Sequence, residues 1–188
     1  MEAAACLFSV QHAEDLARTL LSPAEERWRH SAGVAAQARF LAQTVAPADR
    51  ELLVAAAWLH DIGYAPALYE TGFHPLDGAR YLDRLGWPKR LTSLVAHHSG
   101  SRFVAEVRGF SPVLATFHRE ISPVSDALTY ADQTVGPFGR LYTVEQRMAE
   151  QLSRHGPDSP QVKAQQGRGP YLLAVADRMR RRMVNLAA

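Results

Sequence analysis

His30, His60, Asp61 and Asp132 are the residues whose types and spacing can do chemistry together. His60 and Asp61 stand side by side in "AAWLHDIGY" (56–64), where the most hydrophobic run of the chain stops. His30 shares a stripe with Val34, Ala38, Leu41 and Val45, at spacings of four, four, three and four, and so lies on the apolar face of a helix. Leu53, Ala56, Ala57 and His60 form one stripe of the next helix, and Val54, Ala57 and Asp61 the adjoining one. In "VSDALTYADQTV" the series Val124, Leu128, Asp132 and Val135 turns Asp132 inward, whereas Asp126 shares its side with Tyr130 and Gln133. Periodicity thus favours Asp132 as the buried aspartate of the pair. Buried carboxylates are costly unless they pair, become protonated or bind a metal. A divalent cation satisfies all four residues at once, because imidazole and carboxylate are ligands for zinc, manganese, iron or cobalt. Taken singly, each has a plainer reading: a core histidine bonded to a carbonyl, or Asp61 as an acceptor at a helix end.

The elements that must position these residues read as helices. In "SPAEE", Ser22 is an N-cap, Pro23 a first helical position and Glu25 the partner of a capping box, starting a helix that runs to about Val45. A second starts near Pro47 and is ended by Gly63 in a left-handed conformation. "HPLDGARYLDRLG" and "WPKRLTSLVAHHSG" supply two more, closed by Gly86 and Gly100. A turn-rich stretch follows from Gly109 to Glu120; Ser122 and Pro123 then start the helix that carries Asp132, which Gly136 and Gly139 end. Two C-terminal helices, "TVEQRMAEQL" and "GPYLLAVADRMRRRM", are separated by the loop-like "HGPDSPQVKAQQGRG". No run alternates with a strand period for more than a few residues, which predicts an all-α, single helical bundle over residues 1–188.

Composition bounds the partners. At 188 residues and 47% hydrophobic content the chain supports one sizeable core. A net charge of +2 argues neither for a nucleic-acid binder nor for an acidic partner. Cys6 is the single cysteine, so no internal disulfide is possible and a reducing compartment suits the chain. The N-terminal "MEAAACLFSV" lacks the pattern of a secretory signal, and the apolar run Leu52–Leu59 is far shorter than the roughly 20 residues that span a bilayer. The expectation is a cytoplasmic protein with no membrane partner. "RMRRRM" (178–183) reads as a solvated, dipole-matched helix end rather than a nucleic-acid contact, and His12, His118 and His155 as surface or loop residues.

"RWRHSAGVAAQA", "AAWLHDIGY" and "ALTYADQ", in this order, resemble the H…HD…D signature of the HD-domain superfamily of metal-dependent phosphohydrolases, the middle motif in its HDIG form. The resemblance covers about Trp28–Gly139, with residues 22–140 as the HD core and 141–188 as a C-terminal helical extension. It implies an all-helical fold, His30, His60, Asp61 and Asp132 as metal ligands, and hydrolysis of a phosphate ester or phosphoanhydride, often in a nucleotide. "FHPLDGARYL" and "LVAHHSG" are similar to segments that supply a second metal position in dinuclear members, here His74 and either His97 or His98. Helical phase with Leu91, Leu94 and Val95 favours His98, the motif pattern favours His97, and His74 before Pro75 has the plainer role of a helix cap.

The implied mechanism is metal-assisted hydrolysis by one or two divalent ions (Mn, Fe, Co, Zn or Mg), with Asp61 orienting the attacking water or accepting its proton. Fixed positive charge near the ligands would bind phosphate: Arg27, one turn before His30, and Arg102, just after "HHSG", are the candidates, ahead of Lys89 and Arg90. Tyr64 stands where many relatives carry lysine, so a phosphate contact from that lysine is absent or moved here. The long HD-GYP signature is also missing, which disfavours cyclic-di-nucleotide cleavage. The expected partner is a small-molecule phosphate or nucleotide. The alternative is a metal-binding regulatory or sensor domain with little turnover.

Overall fold

The computed structural model describes residues 9–187, so Cys6 and the rest of the N-terminal stretch lie outside the described residues. Helix α1 (Val10–Leu21) precedes the first helix expected from the sequence; Ser9 caps it by accepting the His12 N–H, and Ala13, Ala17 and Leu21 form its buried stripe. Ser22 and Pro23 do not start the next helix as expected. The Ser22 N–H instead donates to the Arg18 carbonyl and closes α1, and α2 (Glu25–Leu41) begins after Ala24 with no side-chain cap. A helix ending directly before the Ser-Pro pair uses the serine as its own last residue, which leaves the capping box unformed.

Helix α3 (Arg50–Leu59) is the centre of the molecule. Every residue from Leu52 to Leu59 is buried, and its alanines let α1, α2 and later helices approach closely. Helix α3 stops at Leu59, with His60 as its C-cap and Asp61 beyond it. Gly63 is not left-handed, contrary to expectation. It is small because another backbone lies against it: a Cβ there would sit 2.0 Å from the His74 carbonyl oxygen and 2.7 Å from the Gly78 nitrogen.

Helix α4 (His74–Arg84) ends at the left-handed Gly86, as predicted. Helix α5 (Lys89–His97) ends three residues before Gly100, because Ser99 (φ 51°) and Gly100 (φ 68°) reverse the chain and start α6 (Ser101–Arg108). The stretch after Gly109 contains the short α7 (Ser111–Leu114). Helix α8 (Pro123–Gln133) starts on the Ser122–Ser125 capping box, and α9 (Val144–Ser153) on a second box from Thr143 and Gln146. The expected loop at 155–169 is largely helix: α10 runs Pro160–Ala187 through Pro170, and packs across α6 and α8. Among the described residues there is no strand, so the fold is an all-α bundle. No helix among them is long and apolar enough to cross a membrane.

Asp126 is also corrected. It is as buried as Asp132, because Arg178 and Arg182 of α10 reach it in a forked pair at 2.7–2.9 Å. Arg180 and Arg181 pair with Glu145 and Asp177, so the charges of the "RMRRRM" segment are matched within the chain.

Candidate metal centre

Two groups of ligand atoms, all buried but for the half-buried His74, face one another where α2, α3, α4, α5 and α8 meet. His30, His60 and Asp132 form one; Asp61, His74 and His98 form the other, each with its ligand atoms within 4.8 Å of one another. The sequence placed Asp61 in one set with His30, His60 and Asp132, and the resemblance to dinuclear members placed it as a bridge to a second ion. In the structure it stands between the two groups, its Oδ1 3.6 Å from His60 Nε2, 3.3 Å from His74 Nε2 and 3.8 Å from His98 Nε2, and its Oδ2 3.7 Å from His30 Nε2.

Main-chain carbonyls fix the rings. His60 Nδ1 donates to Ala57 O at 2.7 Å, His98 Nδ1 to Val95 O at 2.6 Å and His30 Nδ1 to Gly136 O at 3.3 Å. The proton is then on Nδ1, and Nε2 carries the lone pair. His30 Nε2 and His60 Nε2 lie 3.3 Å apart, with Asp132 Oδ1 3.1 Å from the former. His74 and His98 present Nε2 atoms at the same 3.3 Å. Acceptors that converge without a proton between them repel one another, and a cation relieves this. The donor set of nitrogens and carboxylate oxygens fits a divalent metal.

Local structure aims each ligand. Gly33 lets α2 press on the loop after α8, since a Cβ there would lie 2.8 Å from Val135, and this brings His30 to Gly136. Asp77, buried in α4, accepts from the Thr71 N–H and hydroxyl and the Gly72 N–H at 2.7–3.0 Å, which fixes the approach to His74. Asp132 Oδ2 accepts from the Ser99 hydroxyl and from Gln133 Nε2 at 3.0 Å. Neither Asp77 nor Ser99 has a periodic signal in the sequence, because each acts through a reversed or looped backbone.

Charge is arranged to match. Burial would raise the Asp61 carboxyl, but His60, His74 and Arg27 hold it well below the usual carboxylate range. Asp132 is held down likewise by His30 and His60 against the effect of burial. Burial lowers His60 and His98, and takes His74 down to about 4 against the pull of Asp61. All five groups thus favour their ligating forms near neutrality.

The remaining candidates separate clearly. Arg27 reaches Asp61 Oδ2 at 3.3 Å, and its guanidinium carbon lies 4.0 Å from the Tyr64 ring centre. His97 turns away and donates to Phe117 O at 2.9 Å, so of the adjacent histidines His98 joins the cluster. Arg102 is exposed and stacks on Phe103 at 3.8 Å, outside the cleft. Lys89 pairs with Asp83, and Arg90 with Asp49 and Glu120, all at the surface. His12 and His118 are exposed as expected, whereas the exposed His155 borders the cleft.

The cleft in front of the ligands has a volume of about 320 Å³, within reach of the small-molecule range. Arg147, Arg154 and Arg168 of the C-terminal extension line it with Arg27 and Arg108. Sequence reasoning missed Arg168, because "QQGRGP" looks like a loop; in α10 it is a rigid wall residue.

The HD domain family model matches residues 27–136, more than half the chain. No curated protein and no solved structure matches it. The matched segment contains every residue of the two ligand groups. With its helical bundle and paired His/Asp clusters, the chain belongs to the HD-domain family.

Proposed function

We propose that the protein is a metal-dependent phosphohydrolase that cleaves a phosphate ester or phosphoanhydride of a small molecule, with a nucleotide as the expected class. The observation that carries this reading is Asp61 poised between two histidine pairs whose Nε2 atoms converge. His30, His60 and Asp132 would hold one ion, and His74 and His98 a second, with Asp61 shared. Such an ion supplies Lewis-acid stabilisation of phosphoryl charge and lowers the pKa of water towards about 7.

The chain's own groups do the rest. Asp61 is ionised throughout the neutral range, so its Oδ atoms can orient the attacking water and accept its proton. Arg27 keeps a fixed positive charge beside Asp61, where a phosphoryl oxygen needs a donor. Ser99 and Gln133 hold Asp132 in one orientation.

The test is metal content and turnover of the purified chain over mono-, di- and cyclic nucleotides with Mn²⁺, Co²⁺, Fe²⁺, Mg²⁺ or Zn²⁺. Hydrolysis is expected from the wild type, and His60→Ala and Asp132→Ala should lose both metal and turnover. Metal retained by these variants, or never bound by the wild type, overturns the proposal. Stoichiometric metal with no turnover on any substrate would point instead to a regulatory domain that binds a phosphorylated ligand.

A further inference from the structure

Five arginines and two aspartates line the cleft, and among the described residues two of the arginines, Arg108 and Arg168, form no ion pair with a carboxylate. Arg27 pairs with Asp61. Arg147 and Arg154 share Glu150, and Arg154 also meets Glu26. Arg108 is occupied as a strap, donating through Nη1 and Nη2 to the Gly72 and Thr71 carbonyls at 2.7 and 3.0 Å. Arg168 differs. It is half-buried, and among the described residues no carboxylate forms an ion pair with it. Its Nε donates to Ser99 O at 2.8 Å and its Nη1 to Gln151 Oε1 at 3.2 Å, both neutral acceptors, which leaves Nη2 without a hydrogen-bond partner at the cleft wall.

A guanidinium held rigidly at two atoms, short of counter-charge and facing a cavity, is built for an anion. The holding is deliberate in the packing. Gly167 lets α10 seat against α6, since a Cβ there would lie 2.8 Å from Phe103, and this lowers Arg168 onto Ser99. Ser99 is the same residue whose hydroxyl donates to Asp132, so one residue links Arg168 to the ligand cluster. An anion held by Arg168 would therefore meet the ligand cluster from its Ser99 and Asp132 side, whereas Arg27 serves the Asp61 side.

We propose that the substrate carries two phosphate groups: the scissile one at the His/Asp clusters, and a second, non-reacting one read by Arg168 from the C-terminal extension. This rests on the phosphohydrolase reading and adds the substrate class to it. Arg168 lies outside residues 27–136, so this selectivity comes from a part of the chain that the HD domain match does not cover.

The test uses hydrolysis-resistant probes on the full chain loaded with Mn²⁺, by titration calorimetry: methylphosphonate, with one anionic group, and methylenediphosphonate, with two. Wild type should prefer the diphosphonate. Arg168→Gln should lower diphosphonate affinity roughly tenfold, the loss of one charge-assisted contact, while methylphosphonate affinity and Mn²⁺ content hold. Arg168→Lys, which keeps the charge, should recover part of the preference and stands in if the glutamine variant does not fold. Equal binding of the two probes by wild type, or an unchanged preference in both variants, overturns the inference alone. Failure of the wild type to take up Mn²⁺ counts against the metal reading on which it rests.

Discussion

Tyr64 is the residue at which this chain departs from the commoner motif, and its ring lies between two residues of the centre. The Arg27 guanidinium covers one face, and the His74 imidazole stacks at 3.9 Å between ring centres with an interplanar angle of 17°. The lysine's place is thus taken by an aromatic spacer that keeps Arg27 near Asp61 and His74 aimed at it. Tyr64→Phe keeps the ring and should retain metal affinity. Tyr64→Ala should weaken the second ion by about tenfold, as loss of an outer support typically does. Mn²⁺ titration decides between these outcomes, and equal affinities in the two variants would refute the spacer role. The histidines also set a pH dependence. His74 titrates at about 4 in the folded chain against 6.5 ordinarily, so between these values the unfolded chain binds more protons. Stability of the metal-free protein should be complete above 6.5 and fall as pH drops towards 4, with Asp61 and Asp132 adding further loss below 3.8. Melting temperature against pH in chelator tests this; His74→Gln should flatten the curve in that window.

At the scale of elements, two junctions hold the ligand-bearing helices in register. The turn after α3 lies directly on the start of α4, with Gly63 against the backbone of His74 and Gly78. Gly63→Ala should destabilise by about 3 kcal/mol, since neither backbone can yield to the added methyl. Urea unfolding measures this, and a change under about 1 kcal/mol would mean that the junction is loose. The second junction is α8 to α10 through Asp126. Asp126→Asn removes the charged acceptor of two arginines that retain partial access to water, so a loss of about 2 kcal/mol is expected with metal content unchanged. This contact was invisible in the periodicity of α8. Asp126 sits beside Tyr130 and Gln133 on a face that looks polar, and only α10 folding across α8 buries it.

For the whole molecule, metal binding should be folding energy. The two groups bring together α2, α3, α4, α5 and α8, so an ion held by them ties much of the bundle at one point. A ligand at 100 times its Kd stabilises by about 2.7 kcal/mol, and the melting temperature should rise with Mn²⁺ and fall again with chelator. His60→Ala and Asp132→Ala should abolish that rise; its persistence in both would place the ion elsewhere.

The sequence by itself determined the helical class and the inward faces of His30, His60 and Asp132, because periodicity is a local property that each helix carries alone. It also marked His74 and both histidines of "AHHSG" as candidates through their motif. Helical phase and motif pattern pointed to different histidines, and only the tertiary structure places His98 with His74 and Asp61, because the Phe117 carbonyl that takes up His97 comes from a distant loop. It likewise set Arg102 outside the cleft and Arg168 within it. Counter-charge and hydrogen-bond partners for these arginines come from residues distant in the chain, and their meeting depends on how α10 packs across α6 and α8.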